Sequence, residues 1–215
     1  MCLIWFKNIR FTKLIYNNLR LRRYVRNDRQ QNIMTIEPTP IQDLLIINPT
    51  VFEDARGYFF EAYNQNALAA QGINISFVQD NQSFSKRGTL RGLHYQNPPF
   101  AQTKLMRVLQ GEIIDVAVDI RRASPTYGQH FAIRLSAENK KQLLIPHGFA
   151  HGFSVISETA VVLYKCDQFY NKDSEGGIRF DDPSLNIDWG IDLAAAIVSD
   201  KDLVLPGIEG CNSIF

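Results

Sequence analysis

His94 closes the segment Arg91-Gly92-Leu93-His94, between the turn-prone Lys86-Arg87-Gly88 and the loop Asn97-Pro98-Pro99. His151 lies in Phe149-Ala150-His151-Gly152-Phe153, among glycines and aromatics. On neighbouring strands of a barrel both imidazoles would face one cavity, because alternate side chains point inward. A pair of this kind raises two chemistries, metal ligation and proton transfer. A metal-holding jelly roll uses a His-x-His pair, a nearby carboxylate and a later histidine. Here Tyr95 and Gln96 follow His94, and no acid comes before Glu112. Two imidazoles alone are a poor cage for iron, zinc or manganese. Proton transfer suits imidazole, which as a class titrates near ~6.5.

The elements that would position these residues are mostly strands. Ile114, Val116, Val118 and Ile120 alternate with Asp115, Ala117 and Asp119, the period-2 pattern of a sheet with one buried face. Phe131, Ile133 and Leu135 alternate with His130, Arg134 and Ser136, and Val161 and Leu163 with Val162 and Tyr164. Turn signals at Gln110-Gly111, Ser124-Pro125, Tyr127-Gly128 and Pro146-His147-Gly148 separate the runs. Earlier, Leu44-Leu45-Ile46-Ile47 is a short strand ended by Asn48-Pro49, and the aromatic run from Tyr58 to Tyr63 is β-prone. Residues 64–71 make a short helix stopped by Gly72. The segment from about residue 190 is a loop with a short helix. Many short strands without strand–helix alternation predict an all-β sandwich or jelly-roll barrel with a few short helices. His147, next to Gly148, is expected to face solvent.

Composition narrows the function. Residues 1–33 carry eight basic residues against the single acid Asp28, and the rest of the chain holds 15 basic and 21 acidic residues, a net of −6. An acidic body disfavours a broad nucleic-acid surface. The basic stretch lacks the apolar core of a secretory signal and is expected to lie outside the fold, with the domain spanning residues 34–215. No apolar run approaches the roughly 20 residues that span a bilayer. Cys2, Cys166 and Cys211 are too dispersed for a disulfide framework or a zinc site, which fits a reducing, cytoplasmic setting.

The motifs together are far more specific than any one of them. Asp54-Ala55-Arg56-Gly57-Tyr58-Phe59-Phe60-Glu61, Gln79-Asp80-Asn81, Arg91 to Gln96, Gly148 to Phe153, Tyr164-Lys165-Cys166 and Ser199-Asp200-Lys201-Asp202 resemble, in order and spacing, the dTDP-4-dehydrorhamnose 3,5-epimerase family. The resemblance runs from about residue 36 to 206. It implies a cupin-type jelly roll, a homodimer, a dTDP-sugar substrate and neither metal nor other cofactor. Carried over residue by residue, it makes His94 the base, Asp202 its carboxylate partner, Tyr164 the acid on the other face of the sugar, and Lys104 the cation near the 4-keto oxygen. Arg91 and His151 become polar contacts to sugar and diphosphate. Arg56, Glu61, Gln79 and Asn81 become nucleotide-binding positions, with Phe59 near the base and Tyr170 stacked on thymine. Glu175 and Lys201 become further binding positions. Part of the nucleotide site, around Arg56 to Glu61, would come from the partner subunit. The expected reaction inverts C3 and C5 of dTDP-4-dehydro-6-deoxy-D-glucose; a relative inverting one centre would share the same acid and base.

Taken singly, these residues have plainer readings. Arg56 would be a solvated turn residue, Tyr164 barrel filling, Asp202 a helix cap, Phe59 and Phe153 core, and Lys104 a side chain snorkelling at a strand end. The chemistry of a 4-ketosugar suits the joint reading. A C–H bond beside a ketone is acidic only because its anion delocalises onto oxygen. Inversion therefore needs a base, a cation for the enolate oxygen, and an acid on the opposite face.

Overall fold

The structure, a computed structural model, describes residues 33–215. The basic stretch before the domain therefore lies outside the described residues, except for Ile33, whose carbonyl accepts the Thr50 N–H at 2.9 Å. Two antiparallel sheets face each other. The first contains, in spatial order, β1 (Met34–Pro38), β2 (Leu45–Pro49), β10 (Gln142–Ile145), β7 (Lys104–Gln110), β12 (Thr159–Cys166) and β5 (Gln79–Lys86). The second contains β13 (Glu175–Gly177), β6 (Leu90–Gln96), β11 (Phe149–Val155), β8 (Glu112–Asp119) and β9 (His130–Ser136). This is the jelly roll that the strand pattern predicts. A separate hairpin joins β3 (Phe52–Asp54) to β4 (Gly57–Phe59), so the aromatic run continues as strand only as far as Phe59.

Between the sheets lies the main core, where Met106, Val108, Ile113, Leu135, Leu143, Phe149, Val155 and Val162 interdigitate. The helix α1 (Gln65–Ala70) starts at Asn64, whose side chain accepts the Ala67 N–H at 3.0 Å, and buries Leu68 against the outside of the six-stranded sheet. The outside of the five-stranded sheet is covered too. Ile178, Phe180, Leu185 and Trp189, from the irregular C-terminal segment, pack on Leu93, Val116, Val118 and Ile120.

That cover corrects the expectation of one buried face on β8. Its apolar row, Val116 and Val118, is the outer face and is sealed by the C-terminal segment. Its other row points into the barrel, so Asp115 and Asp119 are fully buried as well. Asp119 is satisfied by a bidentate Arg121 and by the hydroxyls of Ser124 and Thr126. Asp115 has a different use.

One close approach fixes the register that the site needs. A Cβ built on Gly92 would lie 2.6 Å from Gly152 Cα, and one on Gly152 would lie 2.6 Å from the Arg91 carbonyl oxygen. Gly92 also holds φ at +117°, which L side chains rarely adopt. The two glycines let β6 and β11 run together at the point where His94 pairs directly with His151. Among the described residues, no helix is long and apolar enough to cross a membrane.

Candidate active site

The barrel opens into a cavity of about 450 Å³ whose lining includes Ser83, Arg91, His94, Lys104, His151, Phe153, Tyr164 and Asp202. A second cavity of about 180 Å³ shares His94, Lys104 and Tyr164 and adds Gln79, Asn81, Tyr170 and Glu175. The three shared residues are thus the junction between two compartments. They come from both sheets: His94 from β6 on one side, Lys104 from β7 and Tyr164 from β12 on the other.

His94 Nε2 lies 2.7 Å from Asp202 Oδ1. Asp202 arrives from the far end of the chain on α2 (Asp200–Leu203). It does not cap that helix. Ser199 does, accepting the Asp202 N–H at 3.2 Å, which leaves the carboxylate free to face β6. Burial pushes the Asp202 carboxyl up, but His94 and the Gly92 N–H, which donates to Oδ2 at 3.2 Å, outweigh it and hold the group below the ordinary carboxylate range. Asp202 is 4% exposed at its side chain and His94 31%, so the imidazole is the more accessible member of the pair.

Lys104 does not snorkel to solvent. Its half-buried side chain lines both cavities, and burial draws its pKa below that of an ordinary lysine against the pull of Cys166, Asp115 and Glu175. Among the described residues its ammonium has no hydrogen-bond or ion-pair partner. Tyr164 is raised by burial, with Cys166 adding to the rise and Arg91 opposing it, so its phenol keeps its proton. His151 is buried, and its Nε2 lies 2.8 Å from Asp115 Oδ1. Desolvation lowers the His151 pKa, with Asp115 opposing and Lys104 and His94 adding to the fall. The other oxygen of Asp115, Oδ2, is buried with no partner among the described residues.

The residues expected to contact the nucleotide form a second network. Tyr170 donates its hydroxyl to Glu175 Oε2 at 3.0 Å, and Lys201 closes an ion pair on the same carboxylate. Gln79 Oε1 accepts the Tyr170 N–H at 3.2 Å, while Gln79 Nε2 donates to Asn81 Oδ1 at 3.0 Å. The Tyr170 ring is left 57% exposed beside the smaller cavity. Three expected positions do not reach either cavity. Arg56 pairs with Asp54 on the exposed hairpin, Phe59 is 65% exposed, and Glu61 accepts from Asn64 Nδ2 at 2.5 Å. His147 is half exposed, with Nε2 3.0 Å from Asp167 Oδ2. Cys166 and Cys211 are both buried free thiols. Among the described residues no three His, Cys, Asp or Glu side chains gather as a metal-ion cage.

Sequence reasoning missed Asp115 and Ser83. An acid amid the apolar run Ile113 to Val118 was the available signal for Asp115.

A carboxylate-backed imidazole, facing an ammonium and a phenol inside a jelly roll, is the equipment of a cupin-fold enzyme that moves protons on and off carbon. Relatives make the class specific. Residues 38–209 match the family model for dTDP-4-dehydrorhamnose 3,5-epimerase, and the chain belongs to that family. It is 55% identical over 163 residues to the dTDP-4-dehydrorhamnose 3,5-epimerase of Pseudomonas aeruginosa, covering 75% of this chain and 89% of that one. The crystal structure of the Elizabethkingia anophelis enzyme of the same name is 53% identical, covers 82% of this chain and 97% of its own, and superposes with a TM-score of 0.79. The Legionella pneumophila dTDP-6-deoxy-D-glucose-3,5-epimerase, solved with dTDP-4-keto-L-rhamnose, is 46% identical, covers 82% and 94%, and also gives 0.79.

Proposed function

We propose that this chain inverts C3 and C5 of dTDP-4-dehydro-6-deoxy-D-glucose to give dTDP-4-dehydro-L-rhamnose. The observation that carries the reading is the His94–Asp202 contact of 2.7 Å at the junction that Lys104 and Tyr164 also line. Asp202 holds the proton of His94 on Nε2 and leaves the Nδ1 lone pair for the substrate. That lone pair takes the proton beside the ketone. The electron pair of the broken C–H bond moves onto the keto oxygen, where Lys104 meets the charge. Tyr164 then delivers a proton to the opposite face of the same carbon, and solvent restores both groups. Proton removal and return leave the oxidation state unchanged, so the reaction consumes no redox cofactor. A preorganised donor such as Lys104 is worth roughly 3–4 kcal/mol of barrier, and general acid–base work ~10²–10⁴ in rate.

Tyr170 and the smaller cavity suit the nucleotide, with Gln79, Asn81 and Glu175 on its wall and Lys201, which lines the larger cavity, paired to Glu175. Arg91 and His151 lie on the sugar side. The exposed hairpin carrying Arg56 and Phe59 fits a homodimer in which it completes the neighbour's nucleotide site, in a cytoplasmic enzyme. Running turnover in deuterium oxide tests the reading. Product labelled at both C3 and C5 is expected. Label at one carbon alone would make it a single-centre epimerase.

Asp115 gives a pH prediction. Lys104 works only as a cation, so activity is present below its pKa and lost as pH rises through it. Burial already lowers that pKa, while Asp115, Cys166 and Glu175 support it. Asp115→Asn removes one support and lowers the pKa further. The alkaline limb of kcat should therefore start at lower pH than in the wild type. An unmoved limb would show that Asp115 does not tune Lys104.

A further inference from the structure

The inward row of β5 is polar along its whole length: Gln79, Asn81, Ser83 and Ser85 alternate with the exposed Asp80, Gln82, Phe84 and Lys86. Three of the four have partners. Gln79 bonds to Asn81 and the Tyr170 backbone. Asn81 also points Nδ2 at Cys166 Sγ, 3.7 Å away. Ser85 Oγ accepts from Arg91 Nε at 3.1 Å. Ser83 lines the 450 Å³ cavity, and its Oγ is buried with no hydrogen-bond partner among the described residues. An orphaned buried hydroxyl destabilises a free protein, and buried polar atoms of this kind are rare. The neighbouring inward positions on β12, Val162 opposite Ser83 and Ala160 opposite Ser85, are apolar, so the barrel has no structural demand for a hydroxyl there.

Position along the strand says what the hydroxyl meets. Asn81 is in register with Tyr164, at the junction of the two compartments. Ser83 lies one inward step further, about 7 Å along the strand and away from Tyr170. It lines only the larger compartment, beyond the acid, across from Arg91 on the other sheet.

We propose that Ser83 is a specificity-determining residue that hydrogen-bonds a ring hydroxyl of the hexose, and that Ser85 positions Arg91 beside it. This rests on the epimerase reading above. The hydroxyl has no partner among the described residues, a bound sugar can supply one, and the contact would then separate a dTDP-hexose from dTDP alone.

The test is Ser83→Ala, measured by turnover of dTDP-4-dehydro-6-deoxyglucose, by dTDP affinity and by thermal unfolding. Expected are a roughly tenfold loss of kcat/KM, dTDP affinity within about twofold of wild type, and an equal or higher Tm. An unchanged kcat/KM overturns the proposal. So does an equal loss of dTDP affinity, which would place the contact on the nucleotide, or a lowered Tm, which would make the hydroxyl structural. Wild-type protein that binds dTDP but turns over no ketosugar would remove the epimerase reading, and this one with it.

Discussion

His94→Ala is expected to lower turnover of the ketosugar nucleotide by at least ~10²–10⁴, with dTDP affinity kept within about tenfold. The two readouts separate because His94 stands at the junction of the compartments while Tyr170, Gln79 and Asn81, the proposed nucleotide contacts, line only the smaller one. His151, the nearest imidazole in register, is committed to Asp115 through Nε2 and is more deeply buried. The variant also leaves Asp202 buried without its imidazole. A carboxyl held below its unfolded pKa contributes stability above that unfolded value, and the contribution disappears as pH falls through the folded one. Losing His94 removes part of that depression. The Tm of the variant should therefore drop at neutral pH, and the gap from wild type should close as the solution is acidified below the usual carboxylate range. Wild-type turnover in His94→Ala would show that another group is the base.

Tyr164→Phe should lose net inversion by a similar factor, ~10²–10⁴, and fail in a different way. It removes one oxygen and leaves the ring that packs against the main core. His94 and Asp202 stay intact, so carbon–hydrogen bonds beside the ketone still break. The proton returns from the face it left. In deuterium oxide the variant should thus put label into sugar of unchanged configuration, and the ratio of exchange to inversion should rise far above that of the wild type. Burial supports this assignment, since it keeps the phenol protonated and able to donate. Equal losses of exchange and inversion would mean that Tyr164 shapes the pocket and supplies no proton.

Some of this arrangement was legible in the sequence because it rests on local chemistry. Asn64 and Gly72 bracket the short helix at residues 65–70, and period-2 runs mark β8, β9 and β12. The pairing of His94 with His151 follows from two similar segments flanked by glycine. Other features depend on what lies across space. Alternation on β8 distinguishes two faces but not what covers either one, and here an irregular C-terminal segment seals the face that a simple sandwich leaves to solvent. The strand β5 carries no apolar alternation, because its inward residues line a polar cavity. Its sequence therefore gives no period-2 signal, and Ser83 goes unnoticed. Asp202 had a plausible local role as a cap; only the fold shows Ser199 filling that role.

The His94–Asp202 contact joins residues 108 positions apart. During synthesis at about 5–20 residues per second, the carboxylate is made roughly 5–20 s after the imidazole. The strand that bears His94 can pair long before its partner exists. Ile178, Phe180 and Trp189, which seal the outer sheet, are also made late, and they precede α2. Closing the hydrophobic cover and completing the proton-transfer pair are thus consecutive acts of one C-terminal segment. On the roles proposed for His94 and Asp202, a nascent chain becomes competent for chemistry only when the segment bearing Asp202 has left the ribosome and docked.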